Sequence, residues 1–222
     1  MPINIAIDGP AGAGKSSIAK AVSRELGYIY VDTGALYRSI AYYAIKHGVD
    51  PDNNSAVTAL LGEIKPELCF INNTQHVFVN NEDVSNKIRT EEISMGASKV
   101  AAIPEVRHFL FELQQKIARE NNIIMDGRDI GTVVLPNADV KIFLTASPEE
   151  RARRRYKELS EKSSDCPSYE EVLEDIKQRD YNDSHREISP LKKADNAVVV
   201  DTSDLSLEES IKKLASLIRE RV

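Results

Sequence analysis

The chain alternates between short apolar runs and longer stretches in which apolar residues recur every three or four positions. Five short runs have the length and β-branched content of strands buried on both faces: INIAI (3–7), YIYV (28–31), NIIMD (122–126), VKIFL (140–144) and AVVV (197–200). Between them, Ile18, Ala21, Val22 and Leu26 fall at helical spacing, as do Val106, Phe109, Leu110, Leu113 and Ile117 behind Pro104. Proline suits a first helical turn, where its missing N–H has no helical partner to lose. Ser206 and Glu209 form a capping-box pair ahead of Leu207, Ile211, Leu214 and Ile218. Strands alternating with helices predict the α/β class, with one parallel sheet.

Two regions depart from the alternation. LCFI (68–71) and HVFV (76–79), separated by NNTQ, read as a β-hairpin inserted between residues 66 and 86. Residues 150–193 are helical and densely charged. No internal repeat, low-complexity tract or long linker divides the chain.

The glycines add chemistry to the pattern. AIDGPAGAGKSS (6–17) breaks out of the first strand, and Gly9 to Ser16 has the spacing Gly-x-x-x-x-Gly-Lys-Ser. Glycine lets consecutive backbone N–H groups turn toward an anion, with the dipole of the following helix aimed at the same point. Lys15 is expected to reach β- and γ-phosphate oxygens and Ser16 to ligate Mg²⁺. The spacing names a nucleoside triphosphate site and leaves the reaction open.

Other residues narrow it. A guanine-specific switch would carry Asn-Lys-x-Asp, but NKIR (86–89) has Arg89 in place of the aspartate. VDTGALYRSI (31–40) brings Asp32, Thr33 and Arg38 to the carboxyl edge of the sheet, where Asp32 and Thr33 can also cap a helix. MDGRDIGTVV (125–134) sets Asp126, Arg128 and Asp129 just past another strand, with Asp126 a second candidate for the Mg²⁺ shell. Arg151, Arg153, Arg154, Arg155 and Lys157 crowd seven residues without an acid. Such a run is either a solvated face or, beside a phosphate loop, a clamp on phosphates.

Length and charge exclude some classes. At 222 residues the chain suits one domain with insertions, and 41% hydrophobic with 29% charged residues is ordinary globular composition. A net charge of −6 argues against a general nucleic-acid or membrane-surface binder. No run approaches the ~20 apolar residues of a membrane span and no signal-peptide pattern opens the chain. Cys69 and Cys166 lack Cys-x-x-Cys partners and the four histidines are scattered, so a reduced cytoplasm and no structural zinc are expected.

DGPAGAGKSS (8–17), DTGALYR (32–38), VSNKIRTEEI (84–93), MDGRDIGTVV (125–134) and RDYNDSHR (179–186), in this order and spacing, resemble the bacterial cytidylate kinases along essentially the whole chain. The resemblance implies a nucleoside monophosphate kinase fold, with a five-stranded parallel sheet, an enlarged CMP-binding insert and a helical lid. Residues 1–64, 101–149 and 194–222 would form the core, 65–100 the insert, and 150–193 the lid with its adjoining helices. The implied reaction is ATP-dependent phosphorylation of CMP and dCMP by a monomer, with Mg²⁺.

Carried over by position, Gly9, Pro10, Ala11, Gly12, Ala13, Gly14, Lys15, Ser16 and Ser17 would bind ATP, joined by Arg154 and Arg155 from the lid. Arg38 and Arg128 match the pair that holds the CMP phosphate. Ser98, Arg107 and Asp129 match the positions that read cytosine. Arg179 and Asp183 resemble residues meeting the ribose and the transferring phosphoryl group, with Arg186 on the same side. Thr33 stands where some members have serine. A kinase for UMP or another small acceptor, and a non-catalytic nucleotide switch, are the competing readings.

Overall fold

In the computed structural model, which describes residues 2–71, 74–161 and 166–222, the phosphate loop joins the central strand to the first helix. β1 (Asn4–Asp8) leads into α1 (Lys15–Leu26), β2 (Ile29–Asp32), α2 (Thr33–Lys46) and α3 (Asn54–Leu60). The insertion follows as β3 (Pro66–Ile71), β4 (Thr74–Val79), β5 (Glu82–Asp83) and α4 (Glu91–Val100). α5 (Pro104–Glu120), β6 (Ile123–Gly127) and β7 (Val140–Thr145) return to the sheet. A helical hairpin, α6 (Pro148–Ser160) and α7 (Tyr169–His185), precedes β8 (Val198–Asp201) and α8 (Leu207–Arg219).

The helix limits have local causes. Gly27, at φ 72°, closes α1 in the left-handed conformation that glycine adopts without strain. Asp32 caps α2 by accepting from the Ala35 N–H at 3.0 Å. Pro104 opens α5, and Ser206 with Glu209 forms the capping box of α8, both as the sequence predicts. Ser168 and Glu171 form a second such box on α7.

All five predicted strands form, in the parallel order β2-β6-β1-β7-β8. The chain reverses its direction of winding about β1, which leaves a crevice at the carboxyl ends of the strands. In that register Asp8 lies opposite Gly127, and Asp32 opposite Asp126. Ile5 and Ile7 face the layer of Ile18, Val22, Leu214 and Ile218, while Ala6 faces Val31, Met125 and Ile130 on the other side. This is the alternation that a strand buried on both faces requires.

The predicted hairpin forms from β3 and β4, though Asn72 and Asn73 of its NNTQ turn lie outside the described residues. β5 makes it a three-stranded antiparallel sheet through a two-residue turn, Asn80–Asn81, at φ 50° and 67°. Two residues are too few to show a period, so only the turn chemistry could have announced β5. A separate apolar cluster wraps α2, drawing Leu36 and Ile40 together with Val77 and Val79 of the insertion, Ile93 of α4 and Val106 of α5. No helix among the described residues is long and apolar enough to cross a membrane.

Candidate active site

The phosphate loop is shaped by contacts that admit only glycine. At Gly9 a Cβ would lie 1.9 Å from the Leu144 carbonyl oxygen, so the backbone rests directly on β7. Gly12 and Gly14 adopt φ of 74° and 84°, the left-handed conformation that turns consecutive N–H groups inward. Lys15 is buried under this loop, its ammonium donating to the Pro10 carbonyl at 2.7 Å. Burial, and then the neighbouring Arg128 charge, push it down to about 7.

Beside the lysine, the Ser16 hydroxyl donates to one oxygen of Asp126 at 2.8 Å, and the Tyr30 hydroxyl to the other at 3.0 Å. Burial, and then the Asp32 charge, raise the Asp126 carboxyl to about 6. The Thr33 hydroxyl donates to the Asp126 carbonyl at 2.7 Å, so its proton is already engaged at the end of β6. Asp8 is buried as well; its two oxygens accept from the N–H groups of Ile130 and Gly131, each at 2.7 Å. Burial lifts this carboxyl to about 6 against the lowering effect of those two bonds.

Arginines line the far side. Arg38 donates to Asp32 and Arg128 to Asp183, each at 2.7 Å. Arg107 pairs with Asp129, both largely buried, and Arg186 approaches the other Asp129 oxygen at 3.8 Å. Burial pushes the Asp183 carboxyl up, but Arg128, Arg179 and Arg186 together hold it below its ordinary value. Three buried guanidinium nitrogens have no hydrogen-bond partner among the described residues: Arg38 Nε, Arg179 Nε and Arg186 Nη2. An unmet buried N–H of this kind costs about 1–3 kcal/mol, more where charge is involved, unless a ligand completes it.

One cleft of about 620 Å³ joins these groups, from the phosphate loop past Asp126 and Arg128 to Ser98, Arg107 and Asp129. A family model described as cytidylate kinase matches residues 5–220. The chain belongs to the cytidylate kinase family. The cytidylate kinase of Ligilactobacillus salivarius is 52% identical over 220 residues, 99% of this chain and 97% of that protein. That of Caldicellulosiruptor bescii is 48% identical over 215 residues, 97% and 95% of the two chains. The chain is accordingly an enzyme, a kinase.

Two solved structures bear on the fold alone. An uncharacterized protein from Eubacterium ventriosum aligns over 100% of both chains at TM-score 0.55 and 13% identity. A sugar kinase from Janibacter sp. aligns over 99% of this chain and 95% of its own at 0.50 and 13%.

Most of the residues matched to the family by position face this cleft: Ala11 to Ser17, Thr33 and Arg38 on one wall, Ser98, Arg107, Asp126, Arg128 and Asp129 beyond. Arg154, Arg179, Asp183 and Arg186 close it from the helical hairpin and the segment after it. Gly9 and Pro10 lie behind the loop, outside the cleft lining. Arg155 is half-buried, bonds Glu158 and does not line the cleft, whereas the exposed Arg153 does.

The arginine run is not a bare cation cluster. Arg151 is buried and forks onto Asp180 of α7 at 3.0 and 2.6 Å, while also donating to the Ala11 carbonyl at 3.0 Å. It ties the helical hairpin to the phosphate loop. Glu150 accepts from both Arg153 and Arg154. The carboxylates that balance the run stand outside its seven residues, at positions 150, 158 and 180, the last reached only through the fold.

Four features of the site have weak sequence signals. Asp8 precedes the first loop glycine and reads as the end of a strand, and Tyr30 reads as an apolar strand residue. Tyr37 lines the cleft, with the Arg107 guanidinium 5.6 Å from its ring centre. Leu205, Ser206, Leu207 and Ser210 form the end of the cleft beyond Arg154. There the exposed Leu207, read as part of the apolar stripe of α8, faces the cleft opening instead.

Proposed function

We propose that the chain transfers a phosphoryl group from ATP to CMP, and to dCMP, giving CDP or dCDP and ADP. The observation that carries this reading is the set of unpartnered guanidinium nitrogens on Arg38, Arg179 and Arg186. Their side chains line the same cleft as the phosphate loop and the Arg107–Asp129 pair, and a monophosphate dianion would supply acceptors that they lack. The family's name supports cytosine as its base.

On this reading the loop from Gly9 to Ser17 cradles the donor phosphates, Lys15 meets the transferring group, and Arg153 and Arg154 approach it from the lid. Arg38 and Arg128 hold the acceptor phosphate, and Arg179 neutralises charge that spreads as transfer proceeds. Asp183 holds Arg128 in place and, with Arg186, adjoins the acceptor. Thr33 fixes the turn beneath them. Phosphoryl transfer depends on alignment and charge neutralisation, and the acceptor oxygen is already ionised near neutral pH, so no separate base is needed.

Ser98, Arg107 and Asp129 read the base. A carboxylate accepts from the cytosine N4 amino group, and the other two donate to N3 and O2. The Ser16 hydroxyl and the Asp126 carboxylate, adjacent hard oxygen donors, suit Mg²⁺ and would hold it together with phosphate and water oxygens. When bound, that ion neutralises charge on the donor phosphates. Residues 65–100 act as the acceptor insert and 150–193 as the lid of a monomer.

A coupled assay with CMP, dCMP, UMP and AMP at fixed ATP tests the reading. Turnover with CMP and dCMP well above UMP and AMP is expected. UMP as the preferred acceptor, or stoichiometric ATP binding with no phosphate on any monophosphate, would overturn it.

A further inference from the structure

Arg128 and Asp129 project from a very short span of backbone that is pinned at both ends. Before it, the Asp126 carbonyl is held by the Thr33 hydroxyl. After it, the N–H groups of Ile130 and Gly131 are both held by the carboxylate of Asp8. Asp8 is only 3% exposed, so water does not offer these amides an alternative partner. The approach is close: a Cβ on residue 131 would lie 3.2 Å from the nearer Asp8 oxygen. A buried carboxylate is an expensive way to satisfy two amides, and here each of its two oxygens takes one of them.

We infer that Asp8 is a positioning residue for acceptor recognition: its carboxylate clasps the Ile130–Gly131 backbone and thereby sets the direction of the Asp129 side chain toward the base. The inference rests on the reading of Asp129 given above. Asp8 is also the last residue of β1 before the phosphate loop, so the strand that feeds the donor site orients the acceptor site. A displacement of about 1 Å in a recognition group is enough for large losses in turnover. Asp129 has little slack, because its own carbonyl accepts from the N–H groups of Val133 and Val134 at 2.9 and 3.2 Å. Releasing Ile130 and Gly131 leaves the turn pinned at one end only, by Thr33, with the local bonds of the Asp129 carbonyl.

Asp8→Asn tests this, since the amide keeps one acceptor and turns an N–H₂ against the second backbone donor. The expected result is a loss of about tenfold or more in kcat/KM for CMP, mostly in KM, and a CMP-to-UMP preference narrowed by a similar factor. KM for ATP should stay within about twofold of wild type, which separates a clasp on the acceptor side from damage to the donor loop. An unchanged CMP-to-UMP ratio with only a lowered Tm would make Asp8 a structural strap and overturn the inference. An equal rise in both KM values would do the same.

Asp129→Ala runs in parallel. If it narrows the preference and Asp8→Asn does not, the clasp fails alone; if Asp129→Ala leaves the preference intact, the base reading fails and the clasp with it. Should Asp8→Asn not fold, amide exchange in the wild-type protein decides. The Ile130 and Gly131 amides should be protected like core-strand amides and gain protection with CMP. Exchange as fast as that of exposed turns, or a gain with ATP alone, would overturn the inference.

Discussion

Ser16 Oγ donates to Asp126 Oδ2 across 2.8 Å, so the first turn of α1 and the end of β6 meet in a single hydrogen bond. Tyr30 secures the second oxygen from β2, and the carboxylate is therefore fixed before any ligand arrives. Asp126→Asn keeps the shape of this arrangement and removes its charge. The rate should fall, and the Mg²⁺ concentration for half-maximal rate should rise about tenfold or more, consistent with one lost anionic contact to the ion. A titration of rate against Mg²⁺ with an unshifted midpoint would remove Asp126 from the metal's surroundings.

Lys15 makes a signed prediction about protons. Its folded value of about 7 lies below the ordinary 10.5, so the folded, unliganded protein binds fewer protons than the unfolded chain between those pH values. Its contribution to stability therefore increases as pH rises through that window. A triphosphate beside the ammonium favours the charged form and raises the value again. ATP binding at pH 8 should take up a fraction of a proton approaching one, seen as a dependence of calorimetric binding heat on buffer ionisation enthalpy. Lys15→Arg, charged throughout, should abolish the uptake, and Lys15→Ala should lower kcat by about 10²–10³ in a folded protein. Proton release, or no linkage, would mean the ammonium is already charged in the free site.

Asp129→Ala should lower kcat/KM for CMP by about tenfold to a hundredfold, while UMP, with a carbonyl oxygen in place of the amino group, loses much less. Pairing with Arg107 does not compete with this role, since an aspartate fixed on one oxygen is a better-aimed acceptor on the other. Equal losses on the two substrates would reduce the residue to a support for Arg107.

Lid closure should require both nucleotides. Glu150 holds Arg153 and Arg154 in the free protein, and nucleotide phosphates compete with it for the same N–H groups. Hydrogen exchange across the described residues of α6 and α7 should slow with ATP and CMP analogues bound together, more than with either alone. Identical exchange in the free and doubly liganded protein would leave the Glu150 pairs as a permanent surface network.

The strands were legible because each carries its signal within a few consecutive residues, and the phosphate loop because glycine leaves a local mark. Tertiary partnerships left none. Arg151 looks like its neighbours in sequence, yet its partner Asp180 lies on the next helix and its second contact on the phosphate loop. Asp8 finds its two amides more than 120 positions away, and Tyr30 finds Asp126 through sheet order that no local pattern encodes. Arg38, Arg128 and Asp129 follow strands that place them at the carboxyl edge, but their roles, and the part of Arg179 and Arg186, rest on resemblance; nothing local says that the five converge.

The apolar cluster around α2 has a consequence for how this architecture can be altered. Leu36 and Ile40 of the sheet-flanking helix are sealed by Val77 and Val79 of the insertion and by Ile93 of α4. Cutting out residues 65–100 to obtain a minimal kinase would strip the cover from a helix whose first turn is anchored at the cleft. Grafting a differently shaped insertion from another kinase meets the same obstacle: the graft must present side chains that fit the α2 surface, whatever acceptor it is chosen to bind. The insertion is thus bound to its host by packing, and any exchange of it is also an exchange of the cover on α2.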